Sequence, residues 1–303
     1  MARGYATTLL VLAAIWGSSF MFIKVAVDEL SPAATMFGRC VVASIALGAI
    51  MVARRGPGQA FRCLRDFGRA GIVLGIVSTA LPFWLIAWGE TRIDSGIAAI
   101  ANASMPIFVV LLAIRFMPGE RVTGSRAVGI ALGIVGVGVL VGIQPQGGWA
   151  GAVGTLAVVL ASVSYAVSTL YSQRKLGDSS GLLVSFASAF WGMVVLAPFG
   201  IAQAPSDVPS WQALASVAAL GLLGTAIGLL LYLYMVEHFG SSRASLVVYL
   251  LPVTALFYGA VFLDEAIRVT AIAGLALILA GVALGSGAVK PARRRQPVPA
   301  PTP

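Results

Sequence analysis

The sequence predicts an all-α integral membrane protein: ten transmembrane helices arranged as two inverted five-helix repeats around a central cavity. Three observations predict it. The first is composition: 59% of the 303 residues are hydrophobic and only 10% charged, with a mean hydropathy of +0.95, where soluble domains run about 45–50% apolar and about 25% charged. The second is a series of ten apolar runs, each close to the roughly 20 residues a helix needs to cross a bilayer. The third is a set of residues that recurs along the chain at a nearly constant offset. Ten spans leave only about nine residues for each loop and tail, which excludes a soluble catalytic domain, a long extracellular module and an extended disordered region.

Breaks of charge, glycine and proline place the spans at 6–27, 32–53, 70–89, 94–115 and 124–143, then 149–171, 181–203, 211–236, 241–263 and 268–289. Isolated strands would leave backbone groups unsatisfied in lipid, and the runs lack the alternation of a membrane barrel, so each is a helix. The first span carries Trp16-Gly17-Ser18-Ser19 and is read as retained, although Arg3 and the apolar run after it imitate a signal peptide. Between spans two and three the arginines from Arg54 to Arg69 alternate with Phe61, Leu64 and Phe67, which suits either a short helix lying on the membrane surface or a solvated loop. Trp88, Trp149 and Trp211 fall at span ends, where interfacial aromatic belts form. Residues 290–303 are polar and proline-rich, a disordered tail.

Orientation follows from Lys and Arg. One side collects Arg3, Arg54, Arg55, Arg62, Arg65, Arg69, Arg115, Arg121, Arg126, Arg174, Lys175, Arg243, Lys290 and Arg293 to Arg295, and the other only Lys24, Arg92 and Arg268. Both termini are therefore expected in the cytoplasm, across a bacterial inner membrane. Because the basic residues sit in short gaps between apolar runs, they fit lipid headgroups rather than nucleic acid. Cys40 and Cys63 have no metal-ligand or redox spacing, so no metal and no cofactor are expected. The stretch Gly136-Val137-Gly138 lacks the preceding strand of a dinucleotide loop. No ATP-binding loop or catalytic triad is present, and an enzyme is not expected.

The halves repeat each other. Glu120, Gly129 and Gly136 match Glu265, Gly274 and Gly281 at an offset of 145, Trp88 and Ser95 match Tyr234 and Ser241 at 146, and Trp16 meets Tyr165. Five spans per unit is an odd number, so the second copy enters the membrane inverted, an arrangement found in transporters with the substrate site at the repeat interface. The repeats are placed at 6–143 and 149–289.

Trp16-Gly17-Ser18-Ser19-Phe20 with Lys24, then Arg39, and the segments Pro106…Gly119-Glu120-Arg121 and Pro252…Asp264-Glu265 resemble the EamA-type repeats of the drug/metabolite transporter superfamily, over about residues 6–289. Asp264 stands where the second Gly-Glu pair would have glycine. Within that superfamily the bacterial amino-acid and metabolite exporters are the nearest in kind. The resemblance implies a ten-helix basket with a central cavity, working as an exporter.

Candidate site residues come from depth and chemistry. Arg39 lies roughly 10 Å below the outer surface and Lys24 roughly 27 Å above the inner one, at 1.5 Å per residue. With Asp28 one turn from Lys24, the three suit an outer ion-pair cluster, a gate or a latch. All acids, including Glu90, fall at span ends, which argues against the buried carboxylate of a proton-driven multidrug exporter. His238 reads as a surface histidine. Pro82, Pro106 and Pro252 lie near mid-depth as hinges or kinks, each leaving a carbonyl without its helical donor, at Ser78, Asn102 and Val248. Trp16, Ser19, Phe20, Phe83, Trp84, Asn102, Tyr165, Ser168 and Tyr249 are assigned to the substrate-binding wall, with helix packing as the alternative for each. Glycines four apart, among them Gly129 and Gly133, Gly138 and Gly142, Gly224 and Gly228, and Gly281 and Gly285, are expected to let helices approach closely.

The function expected is export of small polar metabolites, chiefly amino acids, by alternating access, with membrane lipids as the other partner. Export of drugs, nucleosides or organic cations is the alternative within the superfamily, and a non-transporting scaffold or receptor the alternative outside it. The oligomeric state is left open, a monomer being compatible with the sequence.

Overall fold

The computed structural model describes residues 2–117, 124–142, 148–176 and 179–285. Eight continuous helical stretches have the length and apolarity to cross a membrane, and Val247–Phe262 and Val269–Gly285 are shorter apolar helices, which together make the ten expected spans. In order, the first half comprises α1 (Ala2–Val27), α2 (Pro32–Arg55), α3 (Pro57–Leu74) continuing through a π-turn (Gly75–Ala80) into α4 (Leu81–Glu90), α5 (Ser95–Asn102) with α6 (Met105–Phe116), and α7 (Gly124–Gly142). The second half comprises α8 (Gly148–Lys175), α9 (Gly181–Ala202), α10 (Trp211–Ala219) continuing through a second π-turn (Leu220–Ile227) into α11 (Gly228–Phe239), α12 (Ser241–Ala244) with α13 (Val247–Phe262), and α14 (Val269–Gly285). The tail 290–303 and the residues Gly119, Glu120 and Arg121 lie outside the described residues.

Local chemistry sets the helix ends. Ser31 and Ser180, equivalent in the two halves, cap α2 and α9 by accepting from the amides of Ala34 and Leu183, an N-cap role that serine performs well. α2 stops at Gly56, whose φ of 80° reverses the chain into α3. The arginine-rich segment is thus a helix: Leu64 and Phe67 pack against the core and Phe61 is 70% exposed, as an amphipathic surface helix requires. It bends at Gly68, with φ 35°, before entering the membrane.

α2 and α8 both end in basic pairs, Arg54-Arg55 and Arg174-Lys175. The Tyr5 hydroxyl donates to the Arg243 carbonyl at 3.1 Å, which brings the start of α1 to that same basic end. The two halves interlock rather than abut. Phe37 of α2 packs where Gly200 of α9 lacks a side chain, and Phe186 of α9 packs on Gly48 of α2. α7 and α14 meet backbone to backbone: a Cβ on Gly281 would lie 2.6 Å from the Gly129 oxygen and from the Gly133 nitrogen. Gly138, by contrast, faces open space, so its expected part in close helix packing is corrected.

Candidate functional site

The polar groups of the interior gather around the two π-turns. Each such turn widens the helix to an i→i+5 register, as Leu81 N bonding to Ile76 O shows, and π-turns recur at functional positions. Pro82 follows the first one. In an i→i+5 register the donor missing at Pro82 is the partner of Val77, so the carbonyl left free is that of Val77 and not, as the helical count expects, that of Ser78. The Ser164 hydroxyl of α8 donates to it at 2.7 Å. In the second π-turn the Gly224 carbonyl accepts from Trp16 Nε1 of α1 at 3.1 Å. Each half therefore supplies the donor for the other half's widened turn.

The same exchange recurs one turn away. Arg39 of α2 donates from Nε to the Thr225 hydroxyl at 2.9 Å, and Ser188 of α9 hydrogen-bonds the Thr79 hydroxyl at 2.6 Å, with Ser78 joining the cluster. Arg39 and Ser188 occupy equivalent positions in the repeat, as do Thr225 and Thr79. Arg39 is only 7% exposed, and its guanidinium carbon stands 3.8 Å from the centre of the Phe83 ring. Among the described residues no carboxylate lies within ion-pair distance of it. An arginine has five N–H donors, and among the described residues only the Nε group has a protein acceptor.

Charges at the end opposite the basic one act as helix caps. Lys24 Nζ donates to the carbonyls of Glu90 and Ile93 at 2.7 and 3.0 Å, closing the C-terminus of α4, where a cation is favoured. Asp28 is exposed and does not pair with it. The expected cluster of Lys24, Asp28 and Arg39 is thus corrected: carbonyls at a helix end take the ammonium, and Arg39 turns to the π-turn instead. Glu265 accepts from Ser95 N at 2.7 Å, from Ser95 Oγ at 2.8 Å and from Gly96 N at 3.1 Å, capping α5. Glu29 likewise accepts from Ser210 N at 2.7 Å and from its hydroxyl. These hydrogen bonds, the hydroxyl's foremost, hold the Glu29 carboxyl below the usual carboxylate range. Asp264 has φ 54°, which explains why glycine would suit its position: left-handed backbone favours it.

Glu90 was missed. Sequence depth puts it at a span end, but it is fully buried, and both carboxylate oxygens lack a hydrogen-bond partner among the described residues. Only its position at the edge of an apolar run beside a packed glycine, Gly89, hinted at cover from another helix. Its own backbone carbonyl accepts from Lys24 Nζ at 2.7 Å.

The remaining wall residues divide. Ser19 is buried beside Gly224, and Phe20, Phe83, Tyr165 and Tyr249 belong to or pack on one core cluster. Trp16 leans on Tyr232 with centroids 5.5 Å apart. Ser168 is buried one turn beyond Tyr165. Asn102 ends α5, and its carbonyl, freed by Pro106, accepts from Ser162 at 3.3 Å. Pro252 stays inside α13. Trp84 also faces a lateral groove of about 320 Å³ between α4 and α9, with Leu81, Phe199 and Gln203.

Comparisons with known proteins agree with this architecture. The EamA-like transporter family matches residues 4–142 and 152–286. A "probable terminal-alkyne amino-acid exporter" of Streptantibioticus cattleyicolor is 33% identical, covering 94% of each chain. A "probable amino-acid metabolite efflux pump" of Escherichia coli strain K12 is 23% identical over 93% of this chain and 94% of its own, and the inner membrane transporter YedA of the same strain is 26% identical over 83% and 80%. A crystal structure covering 94% of this chain and 96% of its own superposes with a TM-score of 0.63 at 19% identity, which shows the shared fold.

Proposed function

The chain belongs to the EamA-like transporter family, and from that premise we propose that it exports small polar metabolites, amino acids foremost, across a bacterial inner membrane by alternating access. Its repeats are 6–143 and 149–289, and the basic end, with both termini, faces the cytoplasm. One observation carries the reading: the polar interior is built from contacts that recur in the two copies, Arg39 with Thr225 and Ser188 with Thr79, each joining one half to the π-turn of the other. Inverted copies joined by equivalent contacts have two related arrangements, in which the passage opens to either side. Two relatives described as amino-acid exporters or efflux pumps support the substrate class.

Trp16, Ser19, Phe20, Phe83, Trp84, Asn102, Tyr165, Ser168 and Tyr249 line the passage in this reading, and Lys24 latches its outer end through α4. Few oriented dipoles suffice for the two ends of a zwitterion, and aromatic walls accept varied side chains. Counterflow in liposomes holding the purified chain, against amino acids, nucleosides and quaternary amines, tests it. Flux of zwitterions is the expected result; flux of quaternary amines alone, or none, overturns it. Trp16→Ala and Tyr165→Ala each reduce that flux while the protein still folds.

A second reading has one observation in its favour, the buried Glu90 carboxylate without a hydrogen-bond partner. A proton bound there, at the end of α4 that Lys24 of α1 closes, would link flux to the pH gradient. Zwitterion flux that depends strictly on such a gradient, and loses the dependence in Glu90→Gln, selects it.

A further inference from the structure

We infer that Arg39 is the anchor for the carboxylate of the exported solute, received end-on by its two Nη groups, with the Tyr165 hydroxyl of the opposite half as a second donor. This rests on the exporter reading and adds the solute's required anionic end. The inverted repeat provides an internal control. At the crossing of α2 with the second π-turn, Arg39 bonds Thr225; at the equivalent crossing, of α9 with the first π-turn, Ser188 bonds Thr79. The fold is therefore served at that crossing by a short hydroxyl side chain, and a cation there is surplus to packing.

The surplus is specific in its geometry. Nε is held by Thr225 and one face of the guanidinium is covered by Phe83, which leaves the Nη edge, the edge that matches a carboxylate bidentately. Neither the Nη groups nor the Tyr165 hydroxyl has a protein acceptor among the described residues. They come from opposite halves, α2 and α8, and Tyr165 packs on the same core cluster as Phe83, the ring under Arg39. Gly224 lets α1 come close to this place: a Cβ there would stand 2.6 Å from Ser19 Oγ and 3.8 Å from Arg39 Nη2. A buried cation with unused donors is costly, and a solute carboxylate offsets the cost during transport.

The test compares a neutral amino acid with its carboxamide in counterflow by the full chain in liposomes, for the natural sequence, Arg39→Gln, Arg39→Lys and Tyr165→Phe, with folding checked by thermal melts in detergent. The natural sequence is expected to prefer the acid by at least about tenfold. Arg39→Gln loses that preference through the acid, Arg39→Lys keeps part of it, and Tyr165→Phe weakens it by raising KM for the acid alone. Should Arg39→Gln not fold, the Lys and Phe variants decide. Equal flux of acid and carboxamide by the natural sequence leaves the exporter reading standing and overturns the role of Arg39; a preference retained in Arg39→Gln also overturns it. Flux of neither solute overturns both.

Discussion

Two residues at the end opposite the basic one report on how finely backbone and charge are set. Asp264 holds φ at 54° so that Glu265 can turn back onto α5. An L-residue there costs about 1–2 kcal/mol, less for aspartate, whose short side chain bonds locally. Asp264→Gly is expected to be more stable than Asp264→Ala by about 1 kcal/mol, read as the difference in thermal midpoint in detergent. Glu29 supplies the pH test. Its carboxyl titrates lower in the fold than in the unfolded chain because Ser210 donates to it from the hydroxyl and the amide. A lowered carboxyl contributes stability that is complete above the unfolded value, about 4.3, and that is lost as pH falls through the folded one. Melts between pH 6 and pH 3 should show an acid-dependent loss that is smaller in Glu29→Gln, and an identical pH profile in the two proteins would contradict the capping role.

At the scale of the element, the π-turns are the feature that hydropathy cannot show. A wide turn frees a carbonyl inside a low-dielectric interior, which is tolerated only where the protein returns a donor. Ser164 does so for Val77. Removing that hydroxyl leaves the carbonyl unsatisfied, so Ser164→Ala should destabilise by about 1–3 kcal/mol, seen as a lower midpoint in thermal melts. Proline chemistry in the sequence pointed to freed carbonyls near mid-depth, and at Pro106 it named the right one, Asn102. At Pro82 it named Ser78, because a residue count assumes the α register, and the π register, set by packing against α8 and α9, shifts the orphan to Val77. The buried Glu90 escaped for a related reason. Depth along one helix places it at an interface, but Lys24 of α1 closes over the end of α4, and such cover is tertiary.

At the scale of the molecule, span number, span ends and the repeat were legible because lipid imposes length, basic residues mark one side, and Ser31 and Ser180 sit at the same place in both copies. The direction in which each glycine faces was not legible, since spacing of four occurs on every side of a helix. That difference gives a test of what joins the halves. α7 and α14 are the last spans of their copies, and they approach until Gly281 has the backbone of Gly129 and Gly133 against it. In a bilayer no hydrophobic force draws helices together, so such a seam holds by close packing and lipid release. A side chain at 281 meets backbone atoms that cannot swing aside and must push the helices apart, losing contacts along their whole length. Gly281→Val is therefore expected to lose most of its folded yield, measured by size-exclusion chromatography of a fluorescent fusion. Gly138→Val, in the last turns of α7, the other helix of this pair, but facing open space, carries the same kind of cost in propensity without the collision, and its yield should stay close to that of the natural sequence. Equal losses in the two variants would show that helix propensity matters here more than the contact, and that the halves are held together elsewhere.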